Sequence, residues 1–321
     1  MDRVALPGTP FTVSRLGVGA WTISGAHWGP DVDDARAARM LDAAADAGLD
    51  WVDTAPLYGD GHADALVAAF ARRRPAVRVF TKVGAARVGG HATSDLRAAA
   101  VRADVEASLR RLGRDALDLV QIHWPCDRGT PAAETGAALA GLVAAGKVVA
   151  VGVCNHTPAQ VEALRAVVPV ATVQAPLSLI RREAEGALLP ALRAGPPTGV
   201  LVYETLCRGL LAGGRTAPGG FGPGDQRAVD PRFHGAWFHH TRALLDDLGR
   251  VAAHLGVPLP ALAVSFALSR PGVSAAIVGF RTPEQVAGVV AAPALARRPA
   301  VQAAIEKVLA LHPPPRGPEP A

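Results

Sequence analysis

At 321 residues, half of them hydrophobic, the chain has material for a large core, and its three cysteines supply neither a disulfide framework nor a CxxC pair, which excludes the disulfide-rich secreted class. Its net charge of +5 rests on arginine, since Lys82, Lys147 and Lys307 are the lysines, and no long basic run occurs; this argues against a nucleic-acid partner and suits an anionic small molecule. The first residues lack the apolar core of a signal peptide, and no uncharged stretch reaches the roughly 18 residues of a membrane span, so a cytoplasmic protein with no membrane partner is expected.

In chain order, residues 3–13 (RVALPGTPFTV) predict a small hairpin turning at Pro7-Gly8, placed as a plug across the bottom of whatever follows. Short apolar, β-branched runs then recur at 16–21, 49–54, 77–83, 117–123, 147–153, 170–175, 199–204 and 273–280. Stretches of helical period separate most of them, such as DDARAARMLDAAADAG and TSDLRAAAVRADVEASLRRLG. Asp31 or Asp33 is expected to cap the first helix and Thr93 or Ser94 the third, with Gly48 and Gly113 ending them. Strands alternating with helices in this way predict an α/β fold, a (β/α)8 TIM barrel with an N-terminal β-hairpin. Residues 213–238 are rich in Gly and Pro and hold Phe221, Phe233, Trp237 and Phe238, so a long lid or binding loop is expected after strand 7. Residues 1–311 are expected to form one barrel domain and 312–321 a disordered Pro-rich tail.

In a barrel of this kind chemistry gathers at the C-terminal ends of the strands. Asp53 ends strand 2 with Tyr58 in the loop beyond, Lys82 ends strand 3, and His123 ends strand 4. Asn155 follows strand 5, Gln174 ends strand 6, and Tyr203 ends strand 7. Both tyrosines of the chain fall on this rim, and so does one lysine in a sequence that elsewhere chooses arginine. An ordinary ion pair tolerates Arg, whereas a site needing a compact cation beside a phenol does not. The sequence GVGAWTISG (17–25) lacks a glycine at 22, so the GxGxxG dinucleotide fingerprint is not met.

The ordered set DTAPLYG (53–59), TK (81–82), DLVQIHWP (118–125), GVCN (152–155), VYETLCRGLL (202–211), GDQR (224–227) and VGFRTPEQV (278–286) resembles the aldo-keto reductase superfamily from about residue 10 to 292. The resemblance implies a metal-free, nicotinamide-dependent barrel whose catalytic Asp, Tyr, Lys and His are Asp53, Tyr58, Lys82 and His123. Hydride addition to a carbonyl builds negative charge on oxygen, which calls for a proton donor and positive dipoles around it. Tyr58 is then the acid, Lys82 the ammonium that lowers its pKa, Asp53 the support of Lys82, and His123 a donor that orients the carbonyl.

The resemblance also assigns Asn155 and Gln174 to the nicotinamide carboxamide, Tyr203 to its ring, and Leu206 and Arg208 to the pyrophosphate. Trp21 and Gly279 complete that set, with Arg281, Thr282 and Gln285. Thr282, Pro283 and Gln285 read as a capped helix start, and Arg281 before it suits the 2′-phosphate, so NADP(H) is favoured over NAD(H). Asn155 as a cap of helix 5 and Gln174 as a partner of backbone groups stay open. Departures from the family pattern are Glu204, Cys154, Gly288 and Val289; a carboxylate at Glu204 near phosphates must point away or pair with an arginine such as Arg208.

Trp28, Trp124 and Trp237 are candidates for the substrate face, Trp51 for the core, and His27 for either rim solvent or substrate contact. His239-His240 lacks a third ligand, so no metal site is expected. The expected activity is reduction of an aldehyde or ketone, or the reverse, on a small-molecule carbonyl or alcohol. The alternatives are a catalytically quiet NADPH-binding redox sensor and a Schiff-base aldolase using Lys82.

Overall fold

The computed structural model describes residues 1–25, 28, 33–88, 91–222 and 224–315, so His27, the cap candidate Asp31 and most of the expected tail lie outside the described residues. Eight parallel strands close into a barrel: β1 (Leu16–Gly19), β2 (Trp51–Asp53), β3 (Arg78–Val83), β4 (Leu117–Ile122), β5 (Val148–Cys154), β6 (Thr172–Pro176), β7 (Gly199–Tyr203) and β8 (Ala275–Val278). Helices α1 (Asp34–Asp46), α2 (His62–Arg73), α3 (Ala98–Leu112), α4 (Ala132–Ala144) and α5 (Pro158–Arg165) fill the crossovers of the first half. The predicted (β/α)8 TIM barrel is the observed fold.

Period-two alternation divides each strand between two cores. Val52, Val79, Val120, Val151 and Val200 face outward and join one apolar layer with the helices. Trp51, Phe80, Leu119, Ala150, Leu201 and Ala275 form a second, interior cluster. The hairpin of Arg3–Ala5 and Thr12–Ser14 seals this cluster from below, contributing Leu6, Phe11 and Val13. Trp51 donates its indole N–H to the Ser14 carbonyl at 2.8 Å and lies 5.0 Å from the Phe80 ring. Two residues further along the same strands, the inward positions become polar: Asp53 follows Trp51, Lys82 follows Phe80, and Gln121 follows Leu119. The floor is apolar and the mouth is charged.

Asp33 caps α1, accepting from the Ala35 and Arg36 amides. Gly113 closes α3 in the left-handed conformation, as its position predicts. The cap expected at Thr93 or Ser94 is not formed: α3 starts at Ala98, and Ser94 instead donates to Asp127 at 2.8 Å and to the Pro125 carbonyl at 3.0 Å. The expected loop 213–238 is also shorter than its composition suggested. It contains the turns Gln226–Ala228 and Pro231–Phe233, and a helix of the second half, Gly235–Leu255, begins inside it. Trp237 and Phe238 therefore sit on that helix. Among the described residues no single helix is long and apolar enough to cross a membrane.

The lone GxG of the first strand has a packing reason. A methyl group on Gly17 would lie 2.2 Å from the Trp51 indole, and one on Gly19 would lie 3.0 Å from Ile277. Overpacking of this kind costs about 1–3 kcal/mol. Gly17→Ala is expected to lower the melting temperature by roughly 2–10 °C, measured by calorimetry.

Candidate active site

β2 and β3 bring Asp53 and Lys82 together inside the barrel, each almost fully buried. Charges withdrawn from water are tolerated when they are paired and hydrogen-bonded. The Lys82 ammonium donates to Asp53 Oδ1 and to the Thr54 carbonyl, the latter at 3.2 Å. The second Asp53 oxygen accepts from Gln121 Nε2 at 3.1 Å and Gln174 Nε2 at 3.0 Å. Burial alone would pull the Lys82 pKa down, but Asp53 and Tyr58 beside it hold it above its ordinary value. The group is an ammonium throughout the neutral range.

Tyr58 returns over this pair from the loop after β2. Gly59 makes the return turn at φ +61°, where a Cβ would strike the Ser24 carbonyl at 2.1 Å. The phenol ring lies 5.2 Å from Lys82 Nζ and packs edge-on to His123 with centroids 5.8 Å apart. Lys82 was expected to lower the phenol pKa. It acts in that direction, but burial is the larger effect, and the value is pushed up to about 12. The His123 pKa falls well below its ordinary value through burial and then through Lys82, so the ring is neutral at pH 7. Its Nδ1 is buried without a hydrogen-bond partner among the described residues.

Asp53, Tyr58 and His123 open onto a cavity of about 1230 Å3. Trp21 lines it beside the phenol, with ring centroids 6.3 Å apart, and Trp28 meets Trp21 edge-on at 5.0 Å. Trp124 stacks on His123 at 6.2 Å and is 47% exposed at the mouth. Trp237 is not part of the wall; it faces His240 on the first turn of its helix. Its expected role at the substrate face is therefore set aside. Among the described residues no group of His, Cys, Asp and Glu is arranged for a metal ion.

Asn155 follows β5 in a left-handed conformation, accepts from the Tyr203 hydroxyl at 2.7 Å and donates to the His123 carbonyl at 3.1 Å. It does not cap α5, which has Thr157 and Gln160 as its capping box. Gln174 lines the cavity, yet its amide nitrogen is given to Asp53 and its oxygen accepts from Cys154 Sγ at 3.3 Å. Among the described residues its side-chain amide meets side chains and not backbone groups.

Further along the wall come Leu206, Arg208, Gly279, Arg281 and Gln285. Thr282 caps the short helix Pro283–Ala287, accepting from the Gln285 amide. The reciprocal bond goes one residue earlier than a capping box, from the Arg281 amide to Gln285 Oε1 at 2.7 Å. Gly288 and Val289 also line this end. Glu204 does pair with arginine, and with three: Arg181 at 2.6 Å, Arg232 at 3.0 Å and Arg208 at 3.2 Å. Burial raises its pKa, but these guanidiniums outweigh burial and hold it below the usual range.

Sequence reasoning passed over Gln121, Arg181 and Arg232. Gln121 carries a readable signal, an amide in an apolar strand two residues from Leu119 and two from His123. The arginines come from distant loops and carry no local signal.

The closed parallel barrel and the match to a family model together define the class, an oxidoreductase of the aldo-keto type. The Aldo/keto reductase family model matches residues 15–310, and the chain belongs to that family, whose members act on small-molecule carbonyls with nicotinamide cofactors. It is 34% identical over 290 residues to the aldo-keto reductase YhdN of Bacillus subtilis (strain 168), covering 89% of this chain and 87% of that one. It is 30% identical over 312 residues to the NADH-specific methylglyoxal reductase of Escherichia coli (strain K12), covering 91% and 93%. Among solved structures, the glycerol dehydrogenase AKR11B4 from Gluconobacter oxydans superposes with a TM-score of 0.89 at 37% identity, covering 99% of this chain and 98% of that one.

Removing one partner of a buried ion pair leaves the other uncompensated, at a cost of about 3–5 kcal/mol. Lys82→Met is therefore expected to lower the midpoint of urea unfolding strongly. Asp53→Asn in the same chain should restore part of the loss; if the double variant is less stable than the single one, Asp53 and Lys82 are not coupled as described.

Proposed function

We propose that the protein is an NADPH-dependent reductase of small aldehydes or ketones, able to run in reverse, with Tyr58 as the general acid and base. The observation that carries this reading is the Tyr58 phenol set between the Lys82 side chain and the His123 ring at a cavity mouth. Hydride chemistry is what a nicotinamide cofactor supplies at such a site when bound.

The residues present fit such a cofactor. A cavity of about 1230 Å3 exceeds what one small carbonyl compound needs, and it runs from Tyr58 and His123 to Arg208, Arg281 and Gln285. Asn155 and Tyr203 line its inner end, the Asn155 amide already engaged by the Tyr203 hydroxyl and the His123 carbonyl, and Trp21, Leu206 and Gly279 line its flank. Gln174 is less available than its family role implies, because Asp53 and Cys154 already occupy its amide. Near the reacting carbon, the Tyr58 hydroxyl delivers a proton to the developing alkoxide, and the His123 Nε2–H donates to the same oxygen. Lys82 favours the phenolate left behind, and Asp53 keeps Lys82 in place. Trp28 and Trp124 form the apolar sides of the substrate space.

A Schiff-base aldolase needs a neutral amine at Lys82. An ammonium held by Asp53 with a raised pKa does not supply one. A catalytically quiet sensor has no use for a complete proton-transfer set, and it predicts NADPH binding without consumption across an aldehyde panel. Relatives named for methylglyoxal and glycerol place small oxygenated compounds first on that panel. Tyr58→Phe is expected to keep NADPH binding, read by fluorescence, while kcat falls by roughly 10²–10⁴-fold. Wild-type turnover in the phenylalanine variant would remove Tyr58 from the mechanism.

The choice of NADP(H) over NAD(H) rests on Arg281 at the far end of the cavity, in the loop that resembles the family's 2′-phosphate site. A relative named as NADH-specific makes this choice a matter for this chain's own residues. Charge-assisted contacts to phosphate are worth about 1.5–3 kcal/mol. Arg281→Ala should therefore raise KM for NADPH by roughly 10- to 100-fold and leave KM for NADH nearly unchanged. Equal effects on both cofactors would reverse the assignment.

A further inference from the structure

One cluster of buried charges built around a carboxylate that this chemistry leaves unused lies at the end of β7. Glu204 has a side chain only 7% exposed and a backbone at φ +54°, a conformation that residues with a Cβ adopt at a cost. Cys207 at φ +43° and Arg208 at φ +55° share it, so the chain after β7 turns tightly beside the cavity. Its carboxylate joins three elements: Arg181 from the segment after β6, Arg208 from the turn Cys207–Ala212, and Arg232 from the turn Pro231–Phe233.

Asp230 doubles the tie. It accepts from Arg232 Nη2 at 2.8 Å and from Arg208 Nη1 at 3.2 Å, and it caps the turn through the Arg232 amide at 3.0 Å. Arg232 and Asp230 have side chains only 2% exposed. Phe233, the next residue, is buried and meets Phe221 edge-on at 5.2 Å, with Arg215 over the Phe221 ring at 4.0 Å. Gln226 and Arg227 of the same loop form part of the cavity wall. Three guanidiniums thus meet two carboxylates, with Glu183 a more distant third at 3.8 Å from Arg181.

We propose that Glu204 is a positioning residue that fastens the loop carrying Asp230 and Arg232 along the cavity in the ligand-free protein, and so limits the rate at which the cofactor passes the mouth. Without the carboxylate, Arg181, Arg208 and Arg232 crowd one another with Asp230 as the remaining close counter-charge. The loop then loses its tie to the end of β7. The kinetic half of this inference rests on the dinucleotide reading of the cavity, and the fastening half does not.

Two variants separate charge from backbone cost. Glu204→Gln keeps the size and removes the charge; Glu204→Gly removes the charge and also the penalty of φ +54°, so that a change common to both comes from the carboxylate. In the ligand-free protein, trypsin cleavage after Arg215 and Arg227 is expected to accelerate about tenfold or more in both variants, as local opening becomes easier. NADPH dissociation followed by stopped-flow fluorescence should accelerate by a similar factor, with kcat/KM for a carbonyl substrate less affected than KM for NADPH. Cleavage and dissociation within twofold of wild type in both variants would overturn the proposal. Faster cleavage with unchanged NADPH release would overturn its kinetic half. If wild-type protein binds no NADPH, the dinucleotide reading fails, and cleavage alone still decides whether Glu204 fastens the loop.

Discussion

Inside the barrel a single ion pair sets the terms for its neighbours. Lys82 and Asp53 are both withdrawn from water, and each such charge requires full compensation. That requirement recruits Gln121, Gln174 and the Thr54 carbonyl, and with them strands β2, β3, β4 and β6. A guanidinium would not substitute easily, because its planar fork needs more partners than this narrow space offers. The choice of lysine in an arginine-dominated chain is thus a matter of size and shape. Tyr58 lies over the ammonium, so the compensation that stabilises the interior also sets the electrostatics at the mouth.

The same pair explains how much was legible in advance. Strand alternation of the type Trp51-Val52-Asp53 or Phe80-Thr81-Lys82 displays both cores and the polar layer in linear order. The barrel itself is legible in apolar runs that alternate with helical stretches, and the gathering of Asp53, Tyr58, Lys82 and His123 at one end in their places at strand ends and in the family resemblance. Local chemistry served equally well at Asp33 and Gly113, whose capping depends on adjacent residues.

What sequence did not disclose was set by distance or by competition. Ser94 has the chemistry of a cap, but Asp127, more than thirty residues away, claims it first. Gln174 has the chemistry of a ligand contact and is drawn inward by Asp53. The direction of the Tyr58 pKa depended on weighing an adjacent cation against burial, and no residue string contains the extent of burial. Glu204 was visible as an anomaly, yet its partners Arg181 and Arg232 arrive from two separate loops. Trp237 was misplaced because Gly and Pro upstream concealed the start of a helix.

The hairpin at the chain's beginning acquires a different meaning in this light. Phe11 stacks on Phe80 at 6.4 Å, and Ser14 holds the Trp51 indole. Trp51 and Phe80 each stand two residues below a member of the buried ion pair, on the same face of the same strand. The first residues of the protein, at the opposite end of the barrel from the mouth, thus pack against the same two strands that carry the charged layer. An apolar base and a charged summit share Trp51-to-Asp53 and Phe80-to-Lys82 as their common uprights.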